Sequence, residues 1–117
     1  MIHACIKRVY EDASPEDGYR MLVDRIWPRG VKKQDAKLDE WNKLIAPTTE
    51  LRKWFNHQPE RFEEFVKRYR KELLQNKTEL NRIREMAKKE KVTLLYGAKD
   101  HELNQANVLL QVLESLK

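Results

Sequence analysis

"KVTLLYGAKD", Lys91–Asp100, decides the fold. Val92–Tyr96 is a short apolar run closed by Gly97, as expected of a strand covered on both faces. A second run of this kind, Met21-Leu22-Val23, lies in "YRMLVDRIW" and predicts another central strand. The chain between the two runs is mostly helical in pattern. Such a crossover is what parallel neighbouring strands require.

Helix signals fill that crossover. Thr48 or Thr49 can cap a helix with Glu50 in its first turn. Pro59 suits the first position of the next, where its missing N–H is unneeded. Phe62, Phe65, Val66, Tyr69 and Leu73 form one apolar stripe. Thr78 opens a further helix with Leu80, Ile83 and Ala87 facing inward. Leu38 to Ala46 reads equally as a short strand or a helical turn. At the N-terminus Ile2, Ala4 and Ile6 alternate with His3, Cys5 and Lys7, which predicts a half-exposed strand near a sheet edge. "EDASPEDG" after it is a loop. After Gly97, Asp100 is a candidate cap for a last helix with Leu103, Ala106, Leu110 and Leu113 along one side. The fold class is α/β, a small mixed sheet with largely parallel central strands, packed by several helices. The 117 residues, with no repeat or linker-like segment, predict a single domain spanning 1–117.

Composition narrows the function classes. No apolar run approaches the roughly 20 residues that cross a bilayer, so no membrane partner is expected. "MIHACIKRVY" carries charge among its apolar residues and does not read as a signal peptide. The single cysteine, Cys5, excludes an internal disulfide and fits a reducing compartment, so a cytoplasmic location is expected. The net charge of +5 favours anionic partners without separating nucleic acid from small molecules. His3 and Cys5 share a strand face but give only two candidate ligands, so no metal site is expected. No P-loop, G-x-G-x-x-G or G-x-S-x-G element occurs, so no nucleotide cofactor motif is present.

"VDRIWPRGVKK", "LRKWFNHQPERFEEFVKRY" and "VTLLYGAKD" together resemble the YeaO-like family, a bacterial group of small domains of unknown function. The resemblance runs from Arg8 to Leu113, through Asp24-Arg25-x-Trp27-Pro28-Arg29-Gly30, Trp54-Phe55-x-His57-x-Pro59 and Leu94-Leu95-Tyr96-x-Ala98-Lys99-Asp100. Against the family pattern Gln58 stands where an acid is expected, Phe62 where a tryptophan is common and Gly97 where alanine is usual. The resemblance implies no substrate, cofactor or catalytic residue.

The residues themselves suggest a site. Ligands of open α/β sheets bind beyond the carboxyl ends of the strands. There the loops after the two central strands would bring together Arg25, Trp27, Arg29, Lys99 and Asp100. Arginine forks match carboxylate or phosphate oxygens, and tryptophan offers a flat wall. Arg25, Arg29 and Lys99 are the candidate charges, Trp27 and Tyr96 the walls, Asp24 the acid that orients an arginine, and Asn104 a further lining residue. An anionic small molecule, phosphate or carboxylate bearing, is the expected ligand. A structural reading stands beside it: Asp24 pairs with Arg25 or Arg29, and Trp27-Pro28-Gly30 is a packed turn. His57, Lys99 and Asp100 are the candidate catalytic groups; the structural alternative for His57 is a helix cap or a hydrogen bond across its turn, and for Asp100, where it is the favoured reading, the cap of a helix. The basic runs Lys67–Lys71 and Lys88–Lys91 raise nucleic acid as an alternative partner, although Glu63, Glu64, Glu72 and Glu85 are interleaved as on a solvated face. An exposed Trp27 would instead anchor a protein partner.

Overall fold

The computed structural model describes residues 2–116. Four strands, β1 (Ala4–Arg8), β2 (Tyr19–Leu22), β3 (Glu40–Trp41) and β4 (Val92–Tyr96), form one sheet in the order β1-β4-β2-β3. The α/β class and the parallel central strands hold, but the sheet is not mixed as expected: the parallel pairing extends to every strand, each joined to its neighbour by a crossover. β4 is buried throughout, between β1 and β2, with Leu94 opposite both Ile6 and Met21. β2 starts two residues before its apolar run and ends one residue short of it: Val23 N–H still donates to the Leu95 carbonyl at 3.0 Å, after which the chain leaves the sheet. The ambiguous Leu38–Ala46 segment contributes the two-residue edge strand β3.

Five helices complete the fold: α1 (Lys33–Ala36), α2 (Thr49–Phe55), α3 (Phe62–Gln75), α4 (Lys77–Lys89) and α5 (Gln105–Ser115). The two sheet faces are covered differently. Met21, Val92, Leu94 and Tyr96 point into the main core beneath α2 to α5, against Phe65, Tyr69, Ile83 and Leu109. Leu22 and Leu95 point the other way, into a smaller cluster with Val9 that Trp27, Val31, Leu38 and Trp41 roof over. Burying side chains of this size contributes about 1.5–3 kcal/mol each.

Local chemistry sets the element ends. Thr48 caps α2, its hydroxyl accepting from Leu51 N–H and donating to Glu72 at 2.7 Å. Pro59 starts a single 3₁₀ turn, Pro59–Arg61, that leads into α3. The stripe of α3 is buried at Phe65, Tyr69 and Leu73, with Phe62 and Val66 half-covered. α5 departs from expectation: Asn104, not Asp100, is its cap, and its buried side is Ala106, Val108, Leu109, Val112 and Leu113. Leu103 and Leu110 are only half-covered, because the helix packs on the sheet as well as on α3 and buries a wider arc than a four-residue stripe. Gly18 has φ +67°, and a Cβ there would lie 2.4 Å from the Lys91 carbonyl, so glycine is what lets β2 start against β4.

On the loop-covered face lies a buried ion cluster. Asp17 accepts from Lys7 at 3.1 Å, from the Arg20 guanidinium and from Ser14 N–H, and Arg20 also donates to the Ala36 carbonyl.

Candidate functional site

The carboxyl ends of β2 and β4 lie side by side, and the segments leaving them form one wall of a hollow of about 200 Å³. Asp24, Arg25 and Arg29 come from the segment after β2, Gly97 and Ala98 from that after β4, Arg52 and Phe55 from α2, and Gln105 from the start of α5. The apolar part of the lining is Phe55, Phe65, Ile26, Pro28, Pro47 and Leu103. A second hollow, of about 530 Å³, opens beside the first and shares Phe55, His57, Gly97, Ala98 and Leu103 with it. Its own residues are Pro59, Lys99 and Asp100.

Asp24 is the acid of the first hollow. Its Oδ2 accepts from Gly97 N–H at 2.9 Å and its Oδ1 from the Gln105 side-chain amide, while its own carbonyl accepts from the Trp41 indole at 2.7 Å. Burial pushes this carboxyl up to about 6, against the lowering pull of the Gly97 N–H, the Gln105 amide and the Arg52 guanidinium. The glycine leaves the room: a Cβ at position 97 would stand 2.9 Å from Oδ2.

The cations are placed independently of that acid. Arg25 donates through Nε to the Pro47 carbonyl at 2.8 Å and through Nη2 to the Ala46 carbonyl at 3.3 Å, which fixes its stem across the loop before α2. Arg29 is exposed at the mouth, its backbone held by the Tyr10 hydroxyl on its carbonyl at 2.7 Å. Arg52 has a buried Nε with no hydrogen-bond partner. Within the described residues Arg25, Arg29, Arg52 and Lys99 make no salt bridge, whereas Lys7, Arg20, Arg68, Arg82, Arg84 and Lys88 all do. Other cations of the chain are also without a salt bridge, but these three arginines are the ones that line a single hollow together.

Several expected roles change. Asp24 orients no arginine; its oxygens serve Gly97 and Gln105. Trp27 lies outside both hollows, its indole donating to the Val31 carbonyl at 2.8 Å and meeting Trp41 edge-on at 5.2 Å, so it roofs the smaller core. Tyr96 is buried in the main core with its hydroxyl 3.4 Å from His101 Nδ1. Asn104 is 1% exposed and caps α5. Asp100 stands beside Lys99, but its carboxylate accepts from Glu102 and Leu103 N–H, both at 2.9 Å, and these bonds hold it below the usual carboxylate range. His57 rims both hollows, on a turn where Asn56 and His57 have φ of 47° and 53°. Two successive non-glycine residues in the left-handed region are uncommon and mark a constrained lip. Arg52 was not signalled by the strand-end motifs; the available cue was its i, i+3 spacing from Phe55 on one face of α2. Among the described residues no group of three or more His, Cys, Asp or Glu is arranged to hold a metal ion, and no helix is long and apolar enough to cross a membrane.

A family model described as "Inactive DUF488-N3 subclade" matches residues 2–116. The chain is 51% identical over 110 residues to "Uncharacterized protein YeaO" of Escherichia coli (strain K12), which covers 94% of this chain and 96% of that protein. It is 44% identical over 108 residues to "Uncharacterized protein Rv3073c" of Mycobacterium tuberculosis (strain ATCC 25618 / H37Rv), covering 92% of this chain and 91% of the relative. "Uncharacterized protein Mb3100c" of Mycobacterium bovis (strain ATCC BAA-935 / AF2122/97) is similar to the same degree. No solved structure matches the chain.

Proposed function

The chain belongs to the family described as the inactive DUF488-N3 subclade, and from that premise we propose that it is a single-domain cytoplasmic protein whose strand-end hollow binds an anionic small molecule. One observation carries the reading: three arginines from separate positions, Arg25, Arg29 and Arg52, line one hollow without a carboxylate partner within salt-bridge distance. Asp17, by contrast, pairs Arg20 and Lys7 on the opposite face. Carboxylate and phosphate are the groups whose oxygens fit such donors. The family's description as inactive favours binding over turnover, so Asp24 and His57 are lining groups of a binding site in this reading.

The nucleic-acid reading has less support. Arg68 is paired with Glu64 at 3.0 Å and lies over the Trp54 ring, Lys88 is paired with Glu85 at 2.8 Å, and the cations of these runs without a salt bridge line neither hollow. Trp27 as a protein anchor is also disfavoured, because its ring is engaged with Trp41.

The test is thermal stabilisation and calorimetric titration of the whole chain with inorganic phosphate, phenyl phosphate, benzoate and chloride as a control. Saturable binding of phosphate or carboxylate probes that weakens roughly 10- to 100-fold in Arg52→Ala and in Arg25→Ala is expected, the scale of a lost charge-assisted hydrogen bond. No response to any probe, or a response that both variants keep at the parent's strength, counts against the site.

A further inference from the structure

The two hollows differ in what they offer, and the difference bears on the shape of the guest. The first holds the arginines, with Phe55, Phe65 and Ile26 around them. An aromatic ring alone occupies a cavity of about 150 Å³. A ring bearing one acidic group therefore fills the roughly 200 Å³ of the first hollow, and a longer molecule has to continue into the second. Between the two hollows lie the shared residues Phe55, Ala98 and Leu103, an apolar saddle edged by His57. Beyond the saddle the cation is Lys99, which has no salt-bridge partner among the described residues. The adjacent Asp100 does not neutralise it at close range, since that carboxylate is turned onto the N–H groups of Glu102 and Leu103.

Resting on the anion-site reading above, we propose that the ligand class is an elongated organic diacid. One acidic group sits among Arg25, Arg29 and Arg52, an apolar or aromatic middle lies along Phe55 and Leu103, and the second acidic group reaches Lys99. A bare inorganic anion would leave the apolar saddle wet and Lys99 unused. A monoacid would use only the first hollow.

The experiment compares benzoate and phenylacetate with terephthalate and para-phenylenediacetate by calorimetric titration of the whole chain, then of Lys99→Ala and Arg52→Ala. Lys99 is exposed, so its variant is expected to keep the parent melting temperature, which is checked alongside. At least one diacid should bind roughly tenfold or more tighter than its monoacid. Lys99→Ala should bring that diacid down to the monoacid value and leave the monoacid unchanged, while Arg52→Ala weakens both. If monoacids bind through Arg52 but no diacid gains, or the gain survives Lys99→Ala, the diacid proposal is overturned and the anion site stands. Silence from every acid, with inorganic and phenyl phosphate silent too, overturns both.

Discussion

Asp24 Oδ2 accepts the Gly97 N–H at 2.9 Å, so a carboxyl from the end of one central strand is bonded to the backbone leaving the other. The bond closes the floor of the hollow, and it does so with a group that burial makes costly to ionise.

That cost fixes a pH dependence. The native carboxyl titrates at about 6 against 3.8 for an unperturbed one, so between these values the folded chain binds more protons than the unfolded chain. The contribution of Asp24 to stability is present below about pH 4 and is lost as pH rises through about 6, a swing on the order of 2–3 kcal/mol. In Asp24→Asn the amide oxygen can still accept from Gly97, and a turned Gln105 amide can accept from the new donor. The variant is expected to be more stable than the parent at pH 7 and no more stable at pH 4, by urea denaturation across that range. A parent that gains stability relative to the variant as pH rises from 4 to 7 would contradict this.

The opposite sign belongs to Asp17. Burial raises its pKa, but the Ser14 N–H, Lys7 and Arg20 outweigh that effect and hold the carboxyl below its ordinary value. Its stabilisation is present above about pH 4 and is lost as pH falls through the lower native value. Arg20 is 4% exposed, so Asp17→Asn leaves a buried guanidinium without its counter-charge, at about 3–5 kcal/mol. The checks are a lower urea midpoint at pH 7 and a flatter acid limb than the parent's. A cost below about 1 kcal/mol would mean that water reaches Arg20.

What was legible in the sequence follows from which contacts are local. β4 and the buried stripe of α3 could be read because their periodicity is set by one covered surface each. The strand-end location of Arg25 and Arg29 followed from the parallel crossover alone. Arg52 did not, since its place at the hollow depends on how α2 is laid over the sheet. Trp27 and Tyr96 misled for one reason: a motif cannot say which face of a strand or loop an aromatic ring covers, and both rings went into cores. The helix after β4 starts four residues later than Asp100 suggested, because a turn capped by Asp100 comes first and Asn104 then caps the helix.

His57 tests whether the lip is held for function. Its φ of 53° costs a side-chain-bearing residue on the order of 1 kcal/mol relative to glycine, partly offset by glycine's freer unfolded chain. His57→Gly is therefore expected to be as stable as the parent or up to about 1 kcal/mol more so, while anion affinity falls severalfold because the imidazole is lost from both hollows. Asn56→Gly relieves the neighbouring φ of 47° and removes no lining side chain, so its affinity should be unchanged. Equal affinity in His57→Gly and parent would leave the histidine a turn residue only.

Arg52 separates a structural role from a ligand-facing one. Its guanidinium lowers the Asp24 pKa at a distance, yet it makes no salt bridge to that acid, and its Nε is buried without an acceptor. If the arginine served only to balance Asp24, Arg52→Met would leave an uncompensated acid and cost about 3–5 kcal/mol. If the donor awaits a guest, the substitution removes an unsatisfied buried group along with the charge, and stability at pH 7 should change by less than about 1 kcal/mol. Asp24 would then be pushed higher still, because the cation that lowers it has gone. Anion affinity should fall roughly 10- to 100-fold, with Arg52→Lys recovering only part of it, since a single ammonium cannot reproduce the fork. Denaturation and titration of the same two variants decide it: a large stability loss with unchanged binding would make Arg52 a structural counter-charge.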